Sequence, residues 1–415
     1  MRRSPIVLCV ILLGGLLSSC GADTSETRTL LVPEKYTTIQ QAVDEARSGD
    51  LVLISPGVYH ESVKIDRDEI VVRGLDRNEV VIDGQDDLMN GFEVSSDSVA
   101  IENLTVKSFR QNGIIFSGAL RERGNEYDAY GSESKSLEGY RVSYVTSYNN
   151  GLYGIYAFAS KNGQIDHSYA SGHPDSGLYV GQCKPCNVVV RSSVAENNAI
   201  GYYGTNASTN VWVVESVFRG NRLGITPNSQ DAEMLSPQQG ATIAANLVID
   251  NDNRNAPVIP KGFFGGGIVV GGGLSNLVTK NKVSGHSWAG IAIMPISRVL
   301  PMKNRITEND VNGNGIDLAF IGAPADVLEN CFSGNRFKTS SPKKIEEILP
   351  CSSAANLKET LPYKQPAELD GPNYREIVAP PRQKNMPNAH KAPLNLPIGE
   401  PQYPSIAELA VPATK

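Results

Sequence analysis

Gly154-Ile155-Tyr156, Gly177-Leu178-Tyr179-Val180, Gly201-Tyr202-Tyr203 and Gly224-Ile225 repeat one short pattern, a glycine followed by β-forming apolar residues. The pattern occurs earlier at Asn112-Gly113-Ile114 and later at Gly267-Ile268-Val269-Val270, Gly290-Ile291-Ala292-Ile293 and Asn314-Gly315-Ile316. From glycine to glycine the spacings are 41, 23, 24, 23, 43, 23 and 25 residues. Five fall within a narrow range, and each long one is a doubled coil or a coil carrying an insertion, around residues 117–139 and 227–262. A second apolar run precedes each motif, as in Val188-Val189-Val190 and Val211-Trp212-Val213-Val214. Short strands at this period, separated by Gly and Asn that tolerate left-handed backbone angles, predict a β-solenoid. Parallel crossovers are right-handed, so the coil should be too.

The expected fold is therefore all-β: a single-stranded, right-handed parallel β-helix of about 10–11 coils over residues 33–345. Thr38 to Ala46 predicts a short helix at its open end. Ile39, Ala42, Val43 and Ala46 share one face, Thr38 is placed to cap and Gly49 closes the far end. Such a helix covers a strand edge that would otherwise invite pairing. The alternation of side chains along strands predicts an interior file of Ile155, Leu178, Tyr202, Ile225, Ile268, Ile291 and Ile316. Their neighbours Tyr156, Tyr179 and Tyr203 then form an exposed ladder, a surface on which sugar rings stack.

Composition agrees. The 415 residues are 40% hydrophobic and 20% charged, with 7% aromatics and 39 Gly, which suits a chain that turns often rather than a helical one. Lys+Arg 38 against Asp+Glu 44 gives a net charge of −6, a poor balance for a nucleic-acid partner. Residues 360–415 contain Pro380-Pro381 and many other prolines with no apolar period, and are expected to be a C-terminal cover and disordered tail from residue 346.

Residues 1–19 carry Arg2-Arg3 and the apolar run Ile6 to Leu17, too short to span a bilayer, and predict an export signal. Leu17-Ser18-Ser19-Cys20 resembles a bacterial lipobox. The resemblance implies cleavage before Cys20, acylation of its sulfur and a spacer over 20–32, hence an extracytoplasmic protein lipid-anchored to a membrane of the cell envelope. In that oxidising compartment Cys183 with Cys186, and Cys331 with Cys351, are expected to form two disulfides.

Thr38-Ile39-Gln40 through Gly49-Asp50, Ser55-Pro56-Gly57-Val58-Tyr59 and Glu61-Ser62-Val63 resemble the opening of right-handed parallel β-helix proteins of the pectin-lyase-like group, and residues 151–182 resemble exported bacterial β-helix repeat proteins. The resemblance spans residues 33–340 and implies fold rather than reaction, since the group includes lyases, hydrolases, esterases, epimerases and non-catalytic proteins. His173-Pro174-Asp175 reverses the Asp-Pro-His order of mannuronan epimerases. The catalytic carboxylates of pectin methylesterases are missing, and the Arg/Lys set of pectate lyases does not map.

The candidate catalytic residues are Asp166, His167, His173 and Asp175, beside the tyrosine ladder. Elimination at a uronic acid needs a base, here His or Tyr, and a neutraliser of the carboxylate, either Ca²⁺ on carboxylates or Lys161 and Arg191. Asp166 with Asp175 is the one pair offered for glycoside hydrolysis. The charge-rich stretch Arg121 to Asp128 is expected to bind a cation or to be solvated. The expected partner is a polysaccharide or envelope glycan, bound by a monomer with no certain cofactor and an unassigned metal. The alternative is a non-catalytic envelope scaffold.

Overall fold

The computed structural model describes residues 27–120, 136–258, 264–362, 364, 369–392 and 396–413. The signal segment, Cys20 and the stretch Arg121 to Asp128 lie outside them. One coil shows how all are made. Val188–Arg191, Val194–Glu196 and Ile200–Thr205 are three short strands, and the chain then re-enters the first direction at Val211–Val214. The corner between the first two strands is only Ser192 and Ser193, made possible by left-handed φ at Ser192.

Each strand pairs in parallel with its counterpart one coil on, so the coils build three sheets. Among the described residues sheet 1 has 12 strands from Thr29–Val32 to Cys331–Ser333, sheet 2 has ten from Gly57–Tyr59 to Asp310–Asn312, and sheet 3 has 11 from Val63–Ile65 to Ser340–Ser341. The result is a right-handed-type parallel β-helix of about 12 turns. The extra turn over the expected 10–11 includes Thr29–Val32, which lies in the stretch read as a spacer and pairs with Leu51–Ile54.

The interior file forms as the alternation requires. Ile155, Leu178, Tyr202, Ile225, Ile268 and Ile291 follow one another in register and are sealed from solvent. Ile316 is a correction. Ile291 pairs with Leu318, and Ile316 falls two residues out of register. The preceding glycines also act differently from the turn role first given them. A Cβ on Gly201 would stand 2.6 Å from the Gly224 carbonyl, and one on Gly224 would stand 2.4 Å from that of Gly267. These glycines are required by the close approach of successive coils.

Beside them runs a buried ladder of polar side chains. Asn198 Nδ2 donates to Asn221 Oδ1 at 3.0 Å, and Asn221 Nδ2 to Asn251 Oδ1 at 2.8 Å, so each corner amide satisfies the next. The helix Ile39–Glu45 closes the N-terminal end, with Thr38 Oγ1 accepting from the Gln41 N–H at 3.1 Å. Both disulfides form, Cys183–Cys186 within a coil and Cys331–Cys351 joining the last coil to its cover. Among the described residues no helix is long and apolar enough to cross a membrane.

The C-terminal stretch expected to be disordered is instead a strap laid along the outside of the solenoid. Arg73, 3% exposed, donates to the carbonyls of Ala389 (3.1 Å) and Lys391 (2.6 Å). Asn78 both donates to the Gln383 carbonyl (2.9 Å) and accepts from its N–H (2.8 Å). Farther along, Trp212 stacks with Tyr403 at 5.7 Å, and Lys280 reaches the Ile406 carbonyl at 3.1 Å. The strap has no apolar period because the solenoid holds it mostly by its main chain.

Candidate functional site

The four candidate catalytic residues occupy three separate environments. His173 is inside the polar ladder and fully buried. Its Nε2 accepts from Asn150 Nδ2 at 3.2 Å and its Nδ1 donates to Asn198 Oδ1 at 2.8 Å, which fixes a neutral ring. Burial pushes the imidazole down to about 4. His173 thus substitutes for a ladder asparagine, as His286 does between Asn251 and Asn314. No substrate reaches it.

Asp166 and His167 lie at the corner between sheets 1 and 2, beneath the strap. Asp166 accepts from the Ser143 hydroxyl and from Gln164 Nε2 (2.9 Å), and its carboxylate is 3.2 Å from His167 Nδ1. Burial opposes its ionisation, but His167, Ser143 and Gln164 together hold its pKa below the usual value. His167 stacks on Tyr144 at 4.6 Å with rings 2° from parallel.

Asp175 alone joins the tyrosines. It precedes the strand Ser176–Gly181 of sheet 3, where its N–H donates to Leu152 O (3.2 Å) in the preceding coil and its carbonyl accepts from Ile200 N–H (2.8 Å) in the next. Tyr153 and Ser176 stand close enough to its side chain to favour the ionised form, while Oδ1 is shut from solvent with no hydrogen-bond partner. Burial is the largest influence on this carboxyl and pushes it up to about 7. Such an acid exchanges its proton at neutral pH.

The ladder lies on the outer side of sheet 3, as the alternation predicts, yet it is not freely exposed. Tyr156 and Tyr179 are 8% and 4% exposed. Their rings are 4.6 Å apart, Tyr153 stacks on Tyr156 at 4.4 Å, and Phe158 and Ala119 complete the cluster. Tyr203, edge-on to Tyr179 at 5.8 Å, is half-buried and forms its open margin. Burial raises the phenol pKa values of Tyr153, Tyr179 and Tyr203.

Tyr153 and Glu233 are site residues that sequence reasoning missed. Tyr153 immediately precedes the repeat glycine Gly154, a place where aromatic neighbours across coils could have been sought. Glu233 lies in the loop after the strand Leu223–Asn228, within the second insertion, close enough to Tyr179 and Tyr203 to raise their pKa values. Its carboxylate accepts from Asn206 Nδ2 at 2.9 Å, and burial raises its pKa. Arg298 pairs with Asp231 of the same loop and ties it to a later coil. The insertion therefore walls one side of the tyrosine cluster.

The expected neutralisers lie elsewhere. Lys161 pairs with Glu138 at 2.6 Å and Arg191 with Glu215 at 2.7 Å, both on sheet 1. Among the described residues no group of three or more His, Cys, Asp or Glu is placed to hold a metal ion. The chain's own groups at this site are therefore a protonatable carboxyl, four phenols and a second carboxyl with a raised pKa.

No protein-family profile matches the sequence, and no curated protein matches it. Among solved structures, the A-module of a mannuronan C-5 epimerase from Azotobacter vinelandii is similar, with 12% identity, 73% of this chain and 94% of that chain covered, and a TM-score of 0.43. The pectate lyase Pel9A is similar at 13% identity over 82% of this chain and 90% of its own, TM-score 0.44. A tailspike protein of the Escherichia coli O157:H7 bacteriophage CAB120 is similar at 12% identity over 71% of this chain and 40% of its own, TM-score 0.43.

Proposed function

We propose that the outer face of sheet 3 around Asp175 binds a polysaccharide chain and transfers a proton to or from it, in a protein exported and lipid-anchored through Cys20. One observation carries this reading: a carboxyl that burial pushes up to about 7, set beside Tyr153 and a row of tyrosines that spans three successive coils. Coils repeat about every 4.8 Å, close to the length of one sugar residue, so aromatic rings on neighbouring coils meet neighbouring sugars. Tyr203 offers an accessible ring for stacking, and Tyr156 and Tyr179 support it from behind.

Asp175 is the proton-exchanging group. In its neutral form it donates to a sugar oxygen, and in its ionised form it accepts a proton from carbon or oxygen. Tyr153 holds the carboxyl in place and shares its proton. This chemistry suits elimination or epimerisation at an acidic sugar.

The test incubates the protein with a panel of uronate and neutral polysaccharides, following new unsaturated ends by absorbance, epimerisation by NMR, and binding by gel retardation. Tyr203→Ala should weaken binding at least tenfold, and Asp175→Asn should abolish turnover while leaving binding within a few-fold. Binding that needs Tyr203 but yields no product with any polymer would leave a carbohydrate-binding scaffold. The absence of binding to every glycan would overturn the reading.

A further inference from the structure

A cleft of about 590 Å³ opens on a different face, between the strap and the outer side of sheet 2. An apolar row runs along its floor: Val194, Val217 and Leu247 sit in register on successive coils. Pro381 and Pro387 of the strap roof it, and the stacked Tyr144 and His167 form one wall.

At the wall end lies Arg77, 2% exposed. Its guanidinium donates to Thr146 Oγ1 (2.7 Å), Val145 O (2.7 Å), His167 O (2.9 Å) and Lys384 O (3.3 Å). Every one of these acceptors is neutral. The five N–H donors of a guanidinium exceed these four bonds, and no carboxylate pairs with Arg77 among the described residues. Of the two other buried arginines held against the strap, Arg73 pairs with Glu102 at 2.7 Å, and Arg222, away from this cleft, donates to main-chain carbonyls, those of Leu369 and Asp370 in the strap among them. Arg219, on the cleft floor, is neutralised by Glu196, and Lys384 on the roof makes no ion pair among the described residues. A cation removed from water without a counter-charge costs several kcal/mol. Burial accordingly pushes the Arg77 guanidinium down to about 10.

We infer that this cleft is a binding site for a small organic carboxylate, its anionic head at Arg77 and Lys384 and its apolar body along Val194, Val217 and Leu247. The head supplies the missing counter-charge, and the row of aliphatic side chains gives the body a floor one coil wide per step. The site is independent of Asp175 and its tyrosines, which lie on sheet 3.

Calorimetric titration of the whole protein with sodium hexanoate tests the inference, with hexan-1-ol and sodium sulfate as the neutral and body-less probes. Hexanoate should bind one per chain, at least tenfold more tightly than either control, and should shift the NMR signals of the His167 ring. Val217→Glu, a change on an outward-facing side chain, should abolish binding, and Lys384→Gln should weaken it several-fold. Arg77→Met should also abolish it, but Val217→Glu keeps the test decisive should that buried change disturb folding. Equal binding of hexanoate and hexanol would overturn the carboxylate head. Equal binding of sulfate would overturn the apolar body, and hexanoate binding undiminished in Val217→Glu would overturn the location.

Discussion

Asparagine in place of Asp175 should remove a specific portion of the pH dependence of folding. The carboxyl titrates at about 7 in the folded protein against 3.8 for a free side chain, because its surroundings disfavour the charged form. Below about pH 3.8 both states are protonated, and this group does not penalise the fold. As pH rises towards 7 the unfolded chain releases the proton and the folded chain retains it, so native stability falls. Above 7 both are ionised and the loss is complete. A span of about 3 pH units at 1.36 kcal/mol each corresponds to about 4 kcal/mol. Urea denaturation of the parent and Asp175→Asn, followed by circular dichroism from pH 4 to 8.5, isolates this contribution because other groups titrate in both. The variant should gain on the parent by about 4 kcal/mol across the window, with the steepest change between pH 4.5 and 6.5. Two curves parallel to within about 1 kcal/mol would show an ordinary, solvated carboxylate. The case for Asp175 as a proton carrier at neutral pH would fail with it.

His173→Asn should be tolerated to within about 1 kcal/mol, since asparagine occupies the equivalent corner in neighbouring coils. His173→Leu should cost about 2–4 kcal/mol by stranding Asn150 and Asn198, and equal costs for both variants in urea would refute the ladder role. Gly224→Ala should lower stability by about 1–3 kcal/mol, because its Cβ would stand 2.4 Å from the Gly267 carbonyl. An unchanged melting temperature would count against the close approach. Arg73→Met should loosen the strap and speed tryptic cleavage after Lys391 several-fold while the solenoid body resists. A digestion rate equal to the parent's would mean that the two carbonyl bonds do not hold it.

The periodic part of the molecule was legible because identical demands recur in each coil. A glycine at near-constant spacing with an apolar residue after it is the trace of one stacked position, and Ile155 through Ile291 follow it faithfully. The trace misled at Gly315, which lies in a corner. The stacked position there is Asp317, whose carboxylate accepts from the Lys338 and Thr339 N–H groups, so Leu318 and not Ile316 faces inward. His173 was drawn into the candidate site by its neighbours in sequence. Its spacing of 23 residues from Asn150 and 25 from Asn198 was the signal of a ladder position. Tyr153 comes to Asp175 from a preceding coil, and Glu233 comes to Tyr179 and Tyr203 from an insertion; such encounters leave no mark on local pattern. The strap was illegible for another reason: contacts made through carbonyls and N–H groups are open to nearly any side chain.

A stack of coils in which each touches only its neighbours can peel from either end, one turn at a time. The strap changes that connectivity. It bonds Arg222, then Asn149, then Arg77 and Arg73, and turns back to Trp212 and Lys280, so one segment is fastened to coils distant from one another in the stack. Fraying at one terminus must then release anchors near the middle and the opposite end. The array is converted from a zipper into a laced tube that fails as a unit.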